Sequence, residues 1–245
     1  MKTVAIIQAR LGSTRLPGKV LHLIKGKPLI VHMLNRLKRC RMIDTLVLAT
    51  SSLPHDRPLL ELASHEKIEG FTGSEEDVLD RFYQAAKLYQ ADVVVRLTGD
   101  CPLIDPTVTD LVIERHLKGG KDYTSNTVTR SYPRGLDTEA MSFNALKKTS
   151  KEATKPYERE HVTPYIFEHP DRFSIQQVVA EPFLHEPGLR LTVDTPEDFA
   201  LIQKIFDSLY DLKPNFSITD VVNLLNERQE LRQINAHIQQ KLMTH

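Results

Sequence analysis

The sequence predicts an α/β fold in which a mainly parallel sheet is covered by helices on both faces. Short β-branched runs, such as residues 4–7 and 92–97, indicate strands that are buried on both sides. The segments between such runs carry apolar residues at helical spacing, as in residues 29–37. Strands that alternate with helices typically form a parallel sheet, because each helix returns the chain across one face.

The first half of the chain shows this alternation most clearly. Strands are expected at residues 4–7, 45–50, 70–72 and 92–97, and helices from Pro28 to residue 37 and over residues 55–65, 78–86 and 107–118. Pro28 suits a first helical turn, where its missing N–H costs no hydrogen bond. Ser74 followed by Asp77 resembles a capping box, which places the start of the third helix at Ser74.

The second half is less regular. Residues 119–135 are rich in Thr, Ser, Arg and Pro, which indicates a substrate loop or a dimer arm. Pro156 opens a helical stretch that Pro164 must divide, and Thr195 is expected to cap a helix with Pro196 in its first turn. Further strands are expected at residues 138–143 and 189–193, and one or two polar helices over residues 217–242.

Composition limits the kind of protein. About 40% of the residues are hydrophobic and 26% are charged, which is typical of a globular domain. The 32 Lys and Arg residues balance 32 Asp and Glu residues, and this zero net charge argues against a general nucleic-acid coat. The apolar run at residues 4–7 is too short for a signal peptide or a membrane span. Cys40 and Cys101 form no C-x-x-C pair, so we expect a cytoplasmic enzyme with reduced thiols and no zinc.

Positive charge is concentrated at the start of the chain. No Asp or Glu precedes Asp44. A one-sided run of this kind is either a solvated face or a site for a small polyanion, and its position after a strand favours the polyanion. The cationic residues in this stretch include Arg10, Arg15, Lys19, Lys25, Lys27, Arg36, Lys38, Arg39 and Arg41.

The loop from Gln8 to Lys19 carries three cations, two glycines and two hydroxyls directly after the first strand. Glycines let backbone N–H groups approach an anion, while Arg binds phosphate through a fork and Lys as a point charge. A surface loop with incidental basic residues is the alternative. The loop is not a Walker A motif, because Gly12 and Gly18 are one residue too far apart and Val20 follows Lys19.

Two carboxylates follow later predicted strands. Asp100 lies in the segment Thr98-Gly99-Asp100, and Asp194 follows residues 189–193. Ligands in open α/β sheets bind beyond the carboxyl ends of the strands, so the basic loop and Thr98-Gly99-Asp100 should lie together. Either carboxylate has a structural alternative, since Asp100 could be a turn residue and Asp194 a helix cap.

Four segments in this order resemble the cytidylyltransferases of acidic sugars, such as CMP-N-acylneuraminate synthetase and CMP-Kdo (3-deoxy-manno-octulosonate) synthetase. They are Arg10-Leu-Gly-Ser-Thr-Arg-Leu-Pro-Gly-Lys19, Gly26-Lys-Pro-Leu-Ile30, Thr98-Gly-Asp-Cys-Pro102 and Val193-Asp-Thr-Pro-Glu-Asp198, and the resemblance spans residues 4 to about 206. The segments at residues 134–139 and 159–165 resemble the SpsF-type branch of spore coat polysaccharide biosynthesis proteins.

The resemblance implies a Rossmann-like nucleotide-diphospho-sugar transferase fold with three layers, α/β/α. Residues 1–210 would form the nucleotidyltransferase domain and residues 211–245 a C-terminal helical appendage. The implied reaction transfers CMP from CTP to an acidic sugar and releases pyrophosphate, with Mg²⁺ as cofactor. The implied assembly is a homodimer, with no nucleic-acid or membrane partner.

The resemblance also assigns roles to residues. Arg10, Lys19 and Asp100 match catalytic positions, and Asp100 with Asp194 matches a metal site, which suits Mg²⁺ because it needs only one or two carboxylates. Thr192 stands where the sialic-acid branch has a second Asp, as in the Kdo-type pattern. The implied nucleotide-binding residues are Gln8, Ala9, Arg10, Gly12, Ser13, Arg15, Lys19, Ser74, Thr98 and Gly99. The candidates for the sugar side are Arg134, Asp137, Glu139, Glu160 and His161.

Several alternatives stay open. Ser74 could be a plain helix cap, and His161 could be a surface or packing histidine. The enzyme could use another nucleotide or a sugar phosphate, or be a glycosyltransferase of similar fold. A glycosyltransferase should carry a D-x-D motif, which Gly99-Asp100-Cys101-Pro102 does not provide. A nucleotide-binding protein without catalytic activity is the third possibility.

Overall fold

A seven-stranded sheet organises the computed structural model, which describes residues 1–240. The strands in chain order are β1 (Thr3–Gln8), β2 (Leu23–Ile24), β3 (Lys27–Pro28), β4 (Thr45–Ser51), β5 (Glu69–Gly73), β6 (Val93–Thr98), β7 (Tyr123–Ser125), β8 (Glu139–Ser142) and β9 (Ile175–Gln177). The short strands β2 and β3 pair separately as an antiparallel hairpin, and the other strands form the main sheet.

The order of the main sheet is β5-β4-β1-β6-β8-β7-β9. Strand β1 runs parallel to both β4 and β6, and β8 runs antiparallel to both of its neighbours. In this register Gln8 pairs with Ala49 on one side and Thr98 on the other. The loops that leave β1 and β6 therefore start side by side, and the predicted mainly parallel sheet is confirmed.

Helices cover both faces of the sheet. They are α1 (Leu29–Leu37), α2 (Arg57–His65), α3 (Val78–Leu88), α4 (Pro106–Gly119), α5 (Phe143–Glu152), α6 (Pro156–His161), α7 (Pro164–Phe167), α8 (Pro196–Leu209), α9 (Ile218–Glu227) and α10 (Gln229–Arg232). Successive side chains of a strand point to opposite faces. Accordingly, Ala5 and Ile7 pack with α1, α4 and α8, whereas Val4 and Ile6 pack with α3 and α5. The predicted three layers are confirmed.

Several helix ends form as the sequence predicts. Thr195 and Asp198 make a capping box at the start of α8, and Pro164 begins a new helix after α6 has ended. The expected capping box at Ser74 is wrong. Asp77 caps α3 by accepting a hydrogen bond from the Asp80 N–H at 2.9 Å, and Ser74 Oγ accepts from the Asp77 N–H at 3.0 Å. Ser74 thus closes a turn before the helix, which is a common alternative use of serine.

The strand expected at residues 189–193 is also wrong. The segment makes only a single-residue bridge, between Arg134 and Arg190. The backbone at Gly135 lies close to the backbone at Leu191. A Cβ on Gly135, whose φ is +101°, would lie 2.7 Å from the Leu191 carbonyl carbon. The structure also contains β7 inside the stretch expected to be irregular, and it contains β9 and α5, which no sequence pattern predicted.

The C-terminal residues pack against the helices beside the sheet. Arg36 Nη1 donates to the Phe216 carbonyl at 3.0 Å, and Asp105 Oδ2 accepts from the Ile218 N–H at 2.9 Å. Phe216 and Val221 are buried in the same hydrophobic cluster as α1 and α8. The division of the chain at residue 210 stays a prediction. Within residues 1–240, none of the helices has the length and apolarity needed to cross a membrane.

Candidate active site

A cavity of about 890 Å³ lies at the carboxyl ends of β1 and β6. Its volume is in the range of pockets that bind nucleotide-sized ligands. The walls come from the loops after β1 and β6, the segments around β8, the junction of α6 and α7, and residues 192–194. The sequence-predicted residues that line it are Gln8, Ala9, Arg10, Gly12, Ser13, Arg15, Lys19, Thr98, Gly99, Asp100, Arg134, Asp137, Glu139, Glu160, His161 and Asp194.

Ser74 is the predicted site residue that does not line this cavity. Its carbonyl oxygen accepts a hydrogen bond from Arg81 Nη1 at 2.9 Å, and Arg81 itself reaches the cavity. Ser74 is therefore connected to the cavity through Arg81, which was not among the predicted site residues.

Lys19 lies between the two predicted metal ligands. Its Nζ donates to Asp100 Oδ2 at 2.8 Å and to Asp194 Oδ1 at 2.7 Å. The backbone explains the convergence. Gly99 packs so tightly on the end of β1 that a Cβ there would lie 2.9 Å from the Ala9 Cβ. The Val193 N–H then donates to the Asp100 carbonyl at 2.9 Å, which holds Asp194 beside Asp100.

These three groups are largely removed from water, with side-chain exposures of 11% for Lys19, 22% for Asp100 and 13% for Asp194. Burial lowers the pKa of Lys19, but attraction to Asp100 and Asp194 outweighs it, and the pKa lies above its usual value. Burial raises the pKa of Asp194, but Lys19 and Arg15 outweigh it, and the pKa lies below its usual value. Lys19 and Asp194 are therefore both charged at neutral pH.

The rest of the basic loop is anchored so that its cations face the same space. The Leu11 N–H donates to the fully buried Asp56 carboxylate at 2.7 Å. Arg15 Nη2 lies 3.0 Å from Asp194 Oδ1. Arg10, whose side chain is 45% exposed, approaches Glu75 at 3.5 Å and lines the cavity. Three cations thus surround one end of the site, which is the arrangement that a polyanion requires.

A further part of the cavity lining contains paired charges and one cation without a carboxylate partner among the residues described. Arg130 binds Asp137 through two parallel hydrogen bonds of 2.8 Å each. Glu139 accepts from Arg96 and, at 2.6 Å, from the Tyr123 hydroxyl. No carboxylate in residues 1–240 lies within ion-pair distance of Arg134, which lines the same region. Burial lowers the pKa of Arg134, and the neighbouring guanidinium groups lower it further.

A tight turn carries the remaining predicted sugar residues, Glu160 and His161, to the cavity. The Thr163 N–H donates to the His161 carbonyl at 2.9 Å, and Val162 between them has φ +74° and ψ −50°. This conformation is rare for a β-branched residue. Backbone strain of this kind concentrates at functional sites, which fits the position of the turn.

Three buried polar atoms in the cavity wall have no hydrogen-bond partner within the described residues: Gln8 Oε1, Arg81 Nε and Arg96 Nε. Buried polar groups are nearly always paired in folded proteins. Burial and, secondly, the Arg10 cation lower the pKa of Arg81 to about 10. The three residues line one cavity, although the unpaired atoms themselves are shielded from solvent in the free protein.

The donor set fits a magnesium ion bound together with a phosphate group. Across residues 1–240 the side chains form no cluster of three or more His, Cys, Asp or Glu that would enclose a metal alone. Asp100 and Asp194 nevertheless approach one cationic group, Lys19 Nζ, from two sides. Mg²⁺ typically takes one or two carboxylates and completes its shell with phosphate oxygens and water.

Four arginines of the site were missed from the sequence: Arg81, Arg96, Arg130 and Arg190. Arg96 offered a signal, because it is a charged residue inside the apolar strand β6. Arg130 and Arg190 lie in segments without clear periodicity. Arg81 lies in α3 between apolar positions, where a charged residue is usually expected on the solvent-facing side of the helix, although the structure buries it.

Known proteins resemble this chain over most or all of its length. The family model described as Cytidylyltransferase matches residues 4–241. The spore coat polysaccharide biosynthesis protein SpsF of Bacillus subtilis is 36% identical over 230 residues, which covers 92% of this chain and 94% of that protein. A solved cytidylyltransferase from Leptospira borgpetersenii has a TM-score of 0.89 and 33% identity, and the match covers 100% of both chains.

A further relative matches about half of the chain. The 3-deoxy-manno-octulosonate cytidylyltransferase of Trichlorobacter lovleyi is 37% identical over 119 residues, which covers 48% of this chain and 46% of that protein.

Proposed function

Because this chain belongs to the cytidylyltransferase family, we propose that it transfers CMP from CTP to a hydroxyl group of an acidic sugar and releases pyrophosphate. The observation that carries the proposal is the position of Lys19 between Asp100 and Asp194, at the end of the cavity that the basic loop surrounds. That end offers cations for a triphosphate and carboxylates for its metal ion.

The triphosphate is assigned to the loop after β1. Arg10 and Arg15 present guanidinium groups to the cavity, and Lys19 adds an ammonium group. The glycines of the loop allow its backbone N–H groups to approach phosphate oxygens closely. These groups bind the β- and γ-phosphates, which leave together as pyrophosphate.

In the proposed reaction, the sugar hydroxyl oxygen forms a bond to the α-phosphorus while the bond from that phosphorus to the pyrophosphate oxygen breaks. The hydroxyl proton is released, and negative charge accumulates on the departing pyrophosphate. Cations fixed in advance around that charge supply most of the rate enhancement in phosphoryl transfer. We assign this role to Arg10, Arg15 and Lys19, which line the cavity.

Asp100 and Asp194 are the residues that would hold Mg²⁺. When bound, Mg²⁺ supplies further positive charge at the phosphate oxygens. We assign the metal ion to Asp194 Oδ1, which faces Lys19, because Oδ2 is held by the buried Arg190 through Nη2 at 2.6 Å. Asp100 has no cationic partner other than Lys19 among residues 1–240.

The acidic sugar is assigned to the end of the cavity that contains Arg134. Arg130 is neutralised by Asp137, whereas Arg134 has no paired carboxylate in the described part of the chain. A guanidinium in a partly buried cavity binds a carboxylate with two aligned hydrogen bonds. The relative from Trichlorobacter lovleyi, which matches about half of the chain, is named for 3-deoxy-manno-octulosonate, a sugar of this acidic class. The name of SpsF suggests that the product is used in polysaccharide biosynthesis.

The cytosine base is assigned to Gln8 and Arg81. The edge of cytosine carries an amino donor beside two acceptors. Both side chains line the cavity, and Gln8 Oε1 and Arg81 Nε are an acceptor and a donor without a partner within residues 1–240 of the free protein, which a small side-chain movement would bring to the base. This pairing favours cytosine over bases that present the opposite pattern.

Pyrophosphate release tests the proposed function directly. The purified chain would be incubated with Mg²⁺, one of CTP, UTP, GTP or ATP, and an eight- or nine-carbon ulosonic acid, with a neutral hexose and a hexose 1-phosphate as controls. We expect release only with CTP and an ulosonic acid. Release with a sugar phosphate or with another nucleotide would assign a different transferase activity, and no release with any combination would contradict the proposal.

The homodimer and the cytoplasmic location stay predictions. Light scattering, which measures the mass of the assembly in solution, tests the homodimer.

A further inference from the structure

The last described residues of the chain return to the active site. After α10, the segment formed by residues 233–240 crosses beside residues 190–198 and ends at the cavity, which Gln240 lines. Asn235 in this segment is only 3% exposed although it follows the end of the last helix. The polar contacts of Asn235 and Gln240 are made with two residues near Asp194, namely Arg190 and Asp198.

Asp198 is the centre of a buried hydrogen-bond network. Its Oδ1 accepts from Arg190 Nε at 2.8 Å and from Asn235 Nδ2 at 2.8 Å. Its Oδ2 accepts from Arg190 Nη2 at 3.0 Å and from the backbone N–H groups of Asp194 at 2.9 Å and Thr195 at 3.1 Å. The capping box of α8 needs only Thr195 and Asp198. The side chains of Arg190 and Asn235 also bind Asp198, although neither belongs to the cap.

Arg190 connects this network to Asp194. The guanidinium is planar with donors in fixed directions, so bonds at its other donors determine where the remaining one points. Nε binds Asp198, Nη1 donates to Gln240 Oε1 at 2.5 Å, and Nη2 donates to Asp194 Oδ2 at 2.6 Å. The Arg190 side chain is 6% exposed, and Asn235 Nδ2 also donates to the Arg190 carbonyl at 3.0 Å.

We propose that Asn235 and Gln240 are positioning residues for Asp194, and that these two residues therefore belong to the active site. By fixing Arg190, they commit Asp194 Oδ2 to the protein and direct Oδ1 toward Lys19 and the cavity. Partners that orient a metal ligand in this way typically change metal affinity by 10- to 100-fold when they are removed. The inference rests on the proposed function, in which Asp194 is a metal ligand.

Calorimetric titration of Mn²⁺ into the protein tests the inference without catalysis. CTP is present and the sugar is absent, so no turnover occurs. The variants are Asn235→Leu, which keeps the number of side-chain heavy atoms and removes the Nδ2 donor, and Gln240→Leu, which alters an exposed residue outside the helices. The matched control is Gln239→Leu, an exposed neighbour in the same segment, and Asp194→Asn provides the reference for loss of the ligand itself.

We expect Asn235→Leu to weaken Mn²⁺ binding by about tenfold or more and Gln240→Leu by several-fold. Gln239→Leu should bind Mn²⁺ as the wild type does, and CTP affinity measured without metal should change less than twofold in all three. If Gln240→Leu and a folded Asn235→Leu bind Mn²⁺ like the wild type while Asp194→Asn does not, the positioning role is wrong and the proposed function stands. If the wild type and Asp194→Asn bind Mn²⁺ equally, both fail.

Discussion

Replacement of Lys19 by methionine removes the cation between Asp100 and Asp194 and keeps a side chain of similar length. In the wild type, Lys19 Nζ lies 2.8 Å and 2.7 Å from the two carboxylates. At an effective dielectric constant of about 20, each pair is worth roughly 6 kcal/mol of attraction before desolvation is counted. Without Lys19, Asp100 loses its cationic partner, whereas Asp194 keeps Arg15 and Arg190.

The net effect is smaller than this attraction. Removing one member of a fully buried ion pair costs about 3–5 kcal/mol. The groups here retain 11–22% side-chain exposure, and Asp194 keeps two other cations. We therefore expect Lys19→Met to lower the free energy of unfolding by about 2 kcal/mol, or the melting temperature by about 4–8 °C for a chain of this size. We expect kcat/KM to fall by about 10²- to 10³-fold, as for loss of one charge-stabilising donor.

The effect of Mg²⁺ on the melting temperature distinguishes loss of the Lys19 charge from a general packing defect. In the variant, two carboxylates face each other without Lys19, so a divalent cation should bind more tightly and restore stability. We expect added Mg²⁺ to raise the melting temperature of Lys19→Met by several degrees more than that of the wild type. The control is Lys38→Met, which removes an exposed ion pair with Glu66 and should cost less than about 1 kcal/mol. If Lys19→Met melts at the wild-type temperature and its melting does not respond to Mg²⁺, Lys19 does not neutralise the two carboxylates.

Three further changes test other parts of the site and fold. Gln8→Leu should stabilise the free protein by about 1 kcal/mol in thermal unfolding, because it removes an unpaired buried acceptor, yet it should reduce the preference for CTP over UTP about tenfold in kcat/KM. Arg134→Met should raise the KM for the acidic sugar about 10- to 100-fold and leave the KM for CTP unchanged, since only a charge-assisted sugar contact is lost; equal effects on both would contradict the assignment. Hydrogen bonds from Lys213 and Ser217 lower the pKa of Asp220 to about 2, so its contribution is present above the usual carboxyl pKa and is lost as the pH falls through about 2. Asp220→Asn should therefore cost about 1 kcal/mol at pH 7, less as the pH falls below about 4, and nothing below about pH 2, as measured by denaturant unfolding.

The first half of the fold followed from local patterns. Buried β-branched runs predicted β1, β4 and β6, and the parallel arrangement brought the loop ending at Lys19 next to Asp100. The position of Asp194 did not follow from any pattern. It depends on the contact of the Val193 N–H with the Asp100 carbonyl, between residues far apart in sequence. The family resemblance predicted this convergence, and the match to the cytidylyltransferase family confirms that resemblance.

The elements that were missed have physical reasons. Strands β7 and β9 have three residues each, too few for an alternating pattern to be recognised. Residues 189–193 have the composition of a strand, but they pair with the neighbouring segment only through the bridge between Arg134 and Arg190. The next residue of that segment, Gly135, has a positive φ, so the extended backbone does not continue there. The role of Asn235 depends on its contact with Asp198, which no local sequence signal records.

The proposed function requires that Asp100 and Asp194 hold one metal ion at the phosphates of CTP. Crystals of the protein grown with CTP and Mn²⁺, measured at a wavelength where manganese scatters anomalously, would locate that ion directly. We expect a manganese peak within coordination distance of both carboxylates and of an α-phosphate oxygen, with Lys19 and Arg10 contacting the triphosphate. A manganese ion and triphosphate bound elsewhere, with Lys19 still joining Asp100 to Asp194, would contradict it.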